Sequence, residues 1–252
     1  MMPDSVMTIF HLSDIHVGEP GVNLSDLRRI LDGIEKAARD AVNPLMLVTG
    51  DLTADGLREE YEGFNSVVQG FPIPKIIIPG NHDERNYGTA HFERLFGSRS
   101  TTYDTEDVAI RAVDSAEPDN DDGHVGRGHY PEIRNYFLAA GNKVRVFVLH
   151  HHLVPVPHTG REHNVVEDAG DVLGTLEEAR CSLVLNGHRH VPWMWVLNGM
   201  VIYNGGTLLS RRIRGASTQL HTRIDLTMED VTFTLKEKGG TERVYSRCPI
   251  RV

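Results

Sequence analysis

The chain has 252 residues, 40 % hydrophobic and 24 % charged, with a formal net charge of −9. That balance is ordinary globular usage, which excludes a fibrous or disordered chain, and the length is enough to bury a substantial core. The acidic charge argues against general affinity for nucleic acid, which rests on many Lys and Arg neutralising phosphates, and Cys181 and Cys248 alone are too few for a disulfide framework.

No apolar run approaches the ~20 residues of a membrane span, and Met1 to Ser5 lacks the basic-then-apolar pattern of a secretory signal, so cytoplasmic residence is expected. The first apolar run, Ile9-Phe10-His11-Leu12, reads as a buried strand and stops at Ser13-Asp14-Ile15-His16. Leu24, Leu27, Ile30, Leu31, Ile34, Ala38 and Ala41 recur at helical spacing, with Ser25 as N-cap and Asn43-Pro44 as stop. Leu45 to Val48 forms a second strand ending at Gly50-Asp51, and Leu57, Tyr61, Phe64 and Val68 a second helical stripe. Ile76 to Ile78 ends at Gly80-Asn81-His82-Asp83, and Val146 to Leu149 at His150-His151-His152. A stripe of Val172, Leu173, Leu176 and Ala179 leads into Leu183-Val184-Leu185, which stops at Gly187-His188-Arg189-His190. Asn198-Gly199 between two apolar runs is a two-residue hairpin signal, and Leu220 to Leu226 and Val231 to Leu235 alternate as half-buried strands. The alternation of strand and helix predicts an α/β core with antiparallel β at the end, in one domain over residues 1–252.

Five buried strands that each end in Asp, Asn or His imply one site, because ligands of layered α/β proteins gather beyond the carboxyl ends of strands. Carboxylates, imidazoles and an amide oxygen suit Mn, Fe, Co, Ni or Zn, and the donors outnumber the needs of one tetrahedral ion. Two ions bridged by Asp51 use them all: Asp14, His16, Asp51 and His190 around one, and Asp51, Asn81, His151 and His188 around the other. Binuclear hydrolases hold their ions about 3.5–4 Å apart to clamp the attacking and leaving oxygens of phosphoryl transfer. Counting two divalent ions against Asp14, Asp51 and a bridging hydroxide leaves such a pocket cationic, which suits a phosphate.

The ordered series Asp-x-His, Gly-Asp, Gly-Asn-His-Asp, His-His and Gly-His-x-His resembles the calcineurin-like metallophosphoesterase superfamily over about residues 8–207, with Asn204-Gly205-Gly206-Thr207 similar to the segment after its last histidines. Within it the chain is most similar to bacterial cyclic-nucleotide and glycerophosphodiester phosphodiesterases, which share the Asp114-Ser115 element. The resemblance implies a four-layer sandwich of two mixed β-sheets flanked by helices, two divalent or mixed-valence transition-metal ions at the strand ends, and hydrolysis of small phosphodiesters by a metal-bridging hydroxide. Leu153 stands where relatives carry Pro, and the triple histidine leaves one ligand open by one position: the family's spacing favours His151, with His150 the alternative. Gly50-Asp51 continues as Leu52-Thr53-Ala54-Asp55, without the Asp-Arg-Gly element of the family's Ser/Thr phosphatases, which disfavours protein phosphatase activity.

His82 and Asp83 are the catalytic candidates, His82 to stabilise the transition state or protonate the leaving oxygen and Asp83 to orient its ring or cap the turn. His152 is a candidate for a supporting hydrogen bond. His11 is expected to be a packing residue inside its strand. His91, His124, His129 and His221 read as surface residues, Asp119 to Gly123 as a solvated acidic loop, and 154–164 as a long loop beside the site. Arg189 is the only basic residue inside a ligand motif and should point away from the metals, with Arg161 the other candidate. Their scarcity predicts preference for diesters over monoesters. A nuclease or phosphomonoesterase on the same centre, and a noncatalytic metal-binding scaffold, are the alternatives. The expected partner is a small phosphoester. The oligomeric state stays open, a homo-oligomer included.

Overall fold

The computed structural model describes residues 4–252 except Glu162 and Ala216. Parallel strands β1 (Met7–Leu12), β2 (Pro44–Thr49) and β3 (Lys75–Ile78) make half of one sheet. The antiparallel strands β10 (Leu220–Leu226), β11 (Asp230–Glu237) and β12 (Glu242–Pro249) complete it in the order β12-β11-β10-β1-β2-β3. A second sheet runs β4-β5-β6-β7-β9-β8. In it β5 (Val108–Ala112), β6 (Val144–Val148), β7 (Leu183–Asn186) and β9 (Met200–Asn204) are parallel, and β4 (Thr101–Asp104) and β8 (Trp193–Leu197) are antiparallel edges.

Strand residues alternate between two hydrophobic environments, as their period of two requires. Met7, Ile9, Leu45 and Leu47 meet Val146, Val148, Leu183 and Tyr203 in the core between the sheets. Phe10, Leu12, Met46 and Val48 face the other way, against helices α1 (Leu24–Ala38) and α2 (Arg58–Val68) and Phe92 of α3 (Gly88–Phe96). Phe147, Val184 and Ile202 likewise cover α4 (Tyr130–Ala139) and α5 (Ala169–Glu178). The result is the four-layer arrangement of two mixed sheets flanked by helices, with both central sheets buried on two faces. Among the described residues no helix is long and apolar enough to cross a membrane.

Asn198 and Gly199 have φ of 49° and 81° and join Leu197 to Met200, the left-handed pair a two-residue hairpin needs. The helix start differs from expectation. Asn23, not Ser25, occupies the cap position of α1, and its side chain makes no capping bond.

Candidate metal centre

At the carboxyl ends of the parallel strands the backbone turns left-handed on the candidate ligands themselves. Asp14, His16, Asp51, His188 and His190 have φ of 54°, 54°, 51°, 73° and 59°. Such conformations cost a non-glycine residue about 1–3 kcal/mol each and persist only where the surroundings over-determine them. The glycines that precede the ligands make room for carboxylates. A Cβ on Gly80 would stand 2.3 Å from Asp51 Oδ1, and one on Gly187 1.8 Å from Ser13 Oγ and 2.8 Å from Asp14 Oδ2.

Hydrogen bonds then tie the loops of the two sheets together. The His188 amide donates to Asp14 Oδ2 at 3.0 Å, the His82 amide to Asp51 Oδ1 at 3.0 Å, and the Gly187 amide to the His150 carbonyl at 3.0 Å. Thr207 Oγ1 donates to the Asp14 carbonyl at 2.7 Å, which gives the Asn204–Thr207 segment its place beneath the site.

Two buried donor groups result, Asp14, His16, Asp51 and His190 in one and His150, His151 and His188 in the other. His190 Nδ1–H donates to the Arg212 carbonyl at 2.8 Å, so the Nε2 lone pair of the neutral ring faces Asp14 Oδ1 at 3.1 Å and His16 Nε2 at 3.3 Å. His150 Nδ1–H donates to the Thr49 carbonyl at 2.6 Å, so Nε2 faces Asn81 Oδ1 at 3.2 Å, His188 Nδ1 at 3.3 Å and Asp51 Oδ1 at 3.4 Å. Asp51 Oδ2 looks toward the first group, 3.5 Å from His16 Nε2. Asn81 Nδ2 donates to Asp121 Oδ1 at 2.9 Å, which turns the amide oxygen inward. Lone pairs converging in a buried space repel unless a proton or a metal cation lies between them. The nitrogen and oxygen donors therefore fit divalent transition metals.

In the absence of an ion, the carboxylates and two of the imidazoles stabilise each other's charged forms. Burial opposes charge on Asp14 and Asp51, but His190 and His150 respectively lead the groups that hold both carboxyls below the usual range. Burial also opposes charge on His150 and His190, yet Asp51 and Asp14 outweigh it and raise both rings. Burial lowers His16 to about 4, and burial with neighbouring imidazoles takes His151 and His188 well below the ordinary histidine range.

His151 is fully buried, its Nδ1 hydrogen-bonds Ser115 Oγ at 2.9 Å, and its Nε2 has no hydrogen-bond partner among the described residues. His152 stacks on His188 with centroids 5.5 Å apart. His82 Nδ1 lies 2.5 Å from the Ala54 carbonyl and 2.9 Å from Arg85 Nη1, and the ring packs edge-on against that of His16. Asp83 does not reach that ring. Its carboxylate accepts from Leu52 N, Thr53 N, Thr53 Oγ1 and Gly80 N, bracing the Asp51 loop against the Asn81 loop. His11 is buried in its strand, with Nε2 2.8 Å from Thr49 Oγ1.

Two expectations need correcting. Asp121 belongs to the site, bonding Asn81 and, at 2.7 Å, Arg85, so the acidic run is more than solvated loop. Arginines are not scarce either: a cavity of about 220 Å³ over the donors is lined by Arg85, Arg189, Arg212 and Arg214. The charge argument for diesters therefore fails as first framed. Arg189 does turn onto the 154–164 loop, where its guanidinium donates to the Thr159 and His163 carbonyls at 3.2 Å. The one sequence signal for Arg212 and Arg214 is their place a few residues after Asn204-Gly205-Gly206-Thr207.

This fold and donor set define a metal-dependent phosphoesterase. The calcineurin-like phosphoesterase family model matches residues 7–192, and the chain belongs to that family. It is 26% identical to a protein of Xenorhabdus bovienii described as a probable cyclic nucleotide phosphodiesterase, over 77% of this chain and 83% of that one. It is 25% identical to a probable glycerophosphodiester phosphodiesterase of Arcobacter nitrofigilis, over 75% of this chain and 74% of the relative. The fold also matches the solved structure of PhoD with a TM-score of 0.67 at 8% identity, over 96% of this chain and 69% of that one.

Proposed function

We propose that the protein is a phosphodiesterase for small diesters of the cyclic-nucleotide or glycerophosphodiester type, acting on a binuclear metal centre. The observation that carries this reading is Asp51, whose two oxygens face the two donor groups separately, at 3.5 Å from His16 and 3.4 Å from His150. Asp14, His16, Asp51 and His190 hold one ion, and Asp51, Asn81, His150 and His188 the other. His150 replaces His151 in this assignment because its anchored ring aims Nε2 at Asn81, Asp51 and His188. The names of the relatives support the diester.

Bound divalent ions supply charge neutralisation and activate a water for attack at phosphorus. His82, held by the Ala54 carbonyl at Nδ1, presents Nε2 to the pocket and donates a proton to the departing alcohol oxygen as the P–O bond breaks. Asp83 acts as a positioning residue for the loops that carry Asp51 and Asn81.

Elemental analysis of metal-replete protein and of Asp51→Ala tests the centre, and a panel of 3′,5′-cyclic AMP, bis(p-nitrophenyl) phosphate and p-nitrophenyl phosphate tests the chemistry. Two metals per chain and faster turnover of diesters are expected. A plateau at one metal with Asp51→Ala binding normally would overturn the binuclear centre, and a faster monoester across pH would promote the phosphatase alternative.

A further inference from the structure

The pocket over the metal centre carries more positive charge than the ligand motifs supply. Two of its four arginines are committed to the protein. Arg85 donates to Asp121 at 2.7 Å and lies 3.5 Å from Asp55. Arg189 is 3% exposed and spends its guanidinium on carbonyls of the 154–164 loop. The other two are differently placed. Arg212 approaches Glu19 only at 3.9 Å and its side chain is 56% exposed. Arg214 has no carboxylate within ion-pair distance among the described residues.

The backbone that carries them is fixed to the centre. The Arg212 carbonyl accepts the Nδ1–H of His190 at 2.8 Å, and Ser210 Oγ and the Arg211 amide donate to the Glu19 carboxylate at 2.7 and 2.9 Å. One Arg212 N–H lies 3.4 Å from His82 Nε2, which puts its guanidinium on the side of the pocket assigned above to the departing alcohol. Two weakly compensated cations beside a cationic centre repel one another and the metals, a cost that an anion bound among them relieves. Guanidinium forks match a phosphate dianion in both charge and geometry.

We propose, on the basis of the diesterase reading above, that Arg212 and Arg214 bind a second phosphate carried on the alcohol arm of the substrate, so that the preferred diester has a phosphorylated arm. The reaction is unchanged: water oxygen adds to the diester phosphorus, the P–O bond to the alcohol breaks, and the proton goes to that alcohol oxygen, while the terminal phosphate takes no part.

The test compares glycerophosphoglycerol with the same diester carrying a terminal phosphate, two substrates with alkyl leaving groups that differ only in the added anion. Hydrolysis is followed by phosphorus NMR with the metal-loaded wild type, Arg212→Gln and Arg214→Gln, each checked for equal metal content. Wild-type kcat/KM is expected to favour the phosphorylated diester by about tenfold or more, the size of one charge-assisted hydrogen bond, and each substitution to erase most of that ratio through KM. Equal kcat/KM for the two diesters, or a ratio that survives both substitutions, overturns this proposal alone. Turnover of p-nitrophenyl phosphate with neither diester consumed overturns the diesterase reading and this proposal with it.

Discussion

Replacing Asp83 by asparagine separates a residue that holds the centre together from one that takes part in the chemistry. The carboxylate is fully buried and accepts Thr53 N at 2.9 Å and Thr53 Oγ1 at 2.7 Å on one oxygen, Leu52 N at 3.0 Å and Gly80 N at 2.9 Å on the other. Asparagine keeps one of these oxygens. In its best orientation that oxygen stays on Leu52 and Gly80, the Thr53 hydroxyl rotates to accept from the amide, and the Thr53 N–H is stranded against another donor. An unpaired buried N–H costs about 1–3 kcal/mol and exchanging a charged for a neutral acceptor about 1 kcal/mol at each of the two surviving amides, together about 3–5 kcal/mol. A domain stable by about 5–15 kcal/mol still folds after such a loss. Leu52 and Thr53 directly follow Asp51, and Gly80 directly precedes Asn81, so metal affinity should fall by about tenfold or more as these loops loosen. Asp83 does not line the pocket, and kcat at saturating metal should fall by less than about tenfold. Burial and then the Asp51 charge push Asp83 up to about 7, so urea unfolding, metal titration and kcat belong at about pH 8, where its carboxylate is ionised. A stability loss below about 1 kcal/mol refutes the bookkeeping. Full metal content with kcat down about 10²-fold or more returns Asp83 to the role of orienting His82.

His150→Ala should lose metal while His151→Ala retains it, as read by elemental analysis after dialysis; the opposite order reinstates His151. Gly187→Ala should cost about 1–3 kcal/mol and weaken metal binding, since its Cβ would meet Ser13 and Asp14, whereas Gly174→Ala inside α5, with nothing within 4 Å, should gain up to about 1 kcal/mol. His11 is lowered by burial from 6.5 to about 4, so the unfolded chain takes up a proton that the folded one refuses and stability falls as pH drops from 6.5 toward 4. Its share between about pH 7.5 and 5 is about 2 kcal/mol, and urea titrations of His11→Gln should show a shallower pH slope by that amount.

Each candidate ligand motif was legible because it directly follows a buried apolar strand, and in three of the five, at Gly50, Gly80 and Gly187, the turn carries a glycine required by space. Periodicity located most central strands because they are apolar on both faces, but it missed β5, whose short buried run Val108-Ala109-Ile110 is interrupted by Arg111. Nor did it find β4 or β12, edge strands without a fully buried position. Choosing between His150 and His151 needs the direction of each Nε2, which for His150 faces Asn81, His188 and Asp51 from other loops and leaves no mark in local spacing. Asp121 and Arg212 were missed for a related reason: side chains on irregular loops reach the pocket by tertiary placement alone.

Asp14, Asp51 and Asn81 follow strands of one sheet, while His150, His188 and His190 follow strands of the other. An ion held among them would therefore work as a clasp across this edge of the sandwich. Chelation should unfasten the two sheets at this edge first, exposing the amides of Gly187 and His188 to solvent exchange before those of the strands. In the same way, a swap of Val146 or Ile9 deep between the layers shifts the spacing of side chains that meet only at the rim, so that catalytic geometry is set partly by residues that never see the substrate.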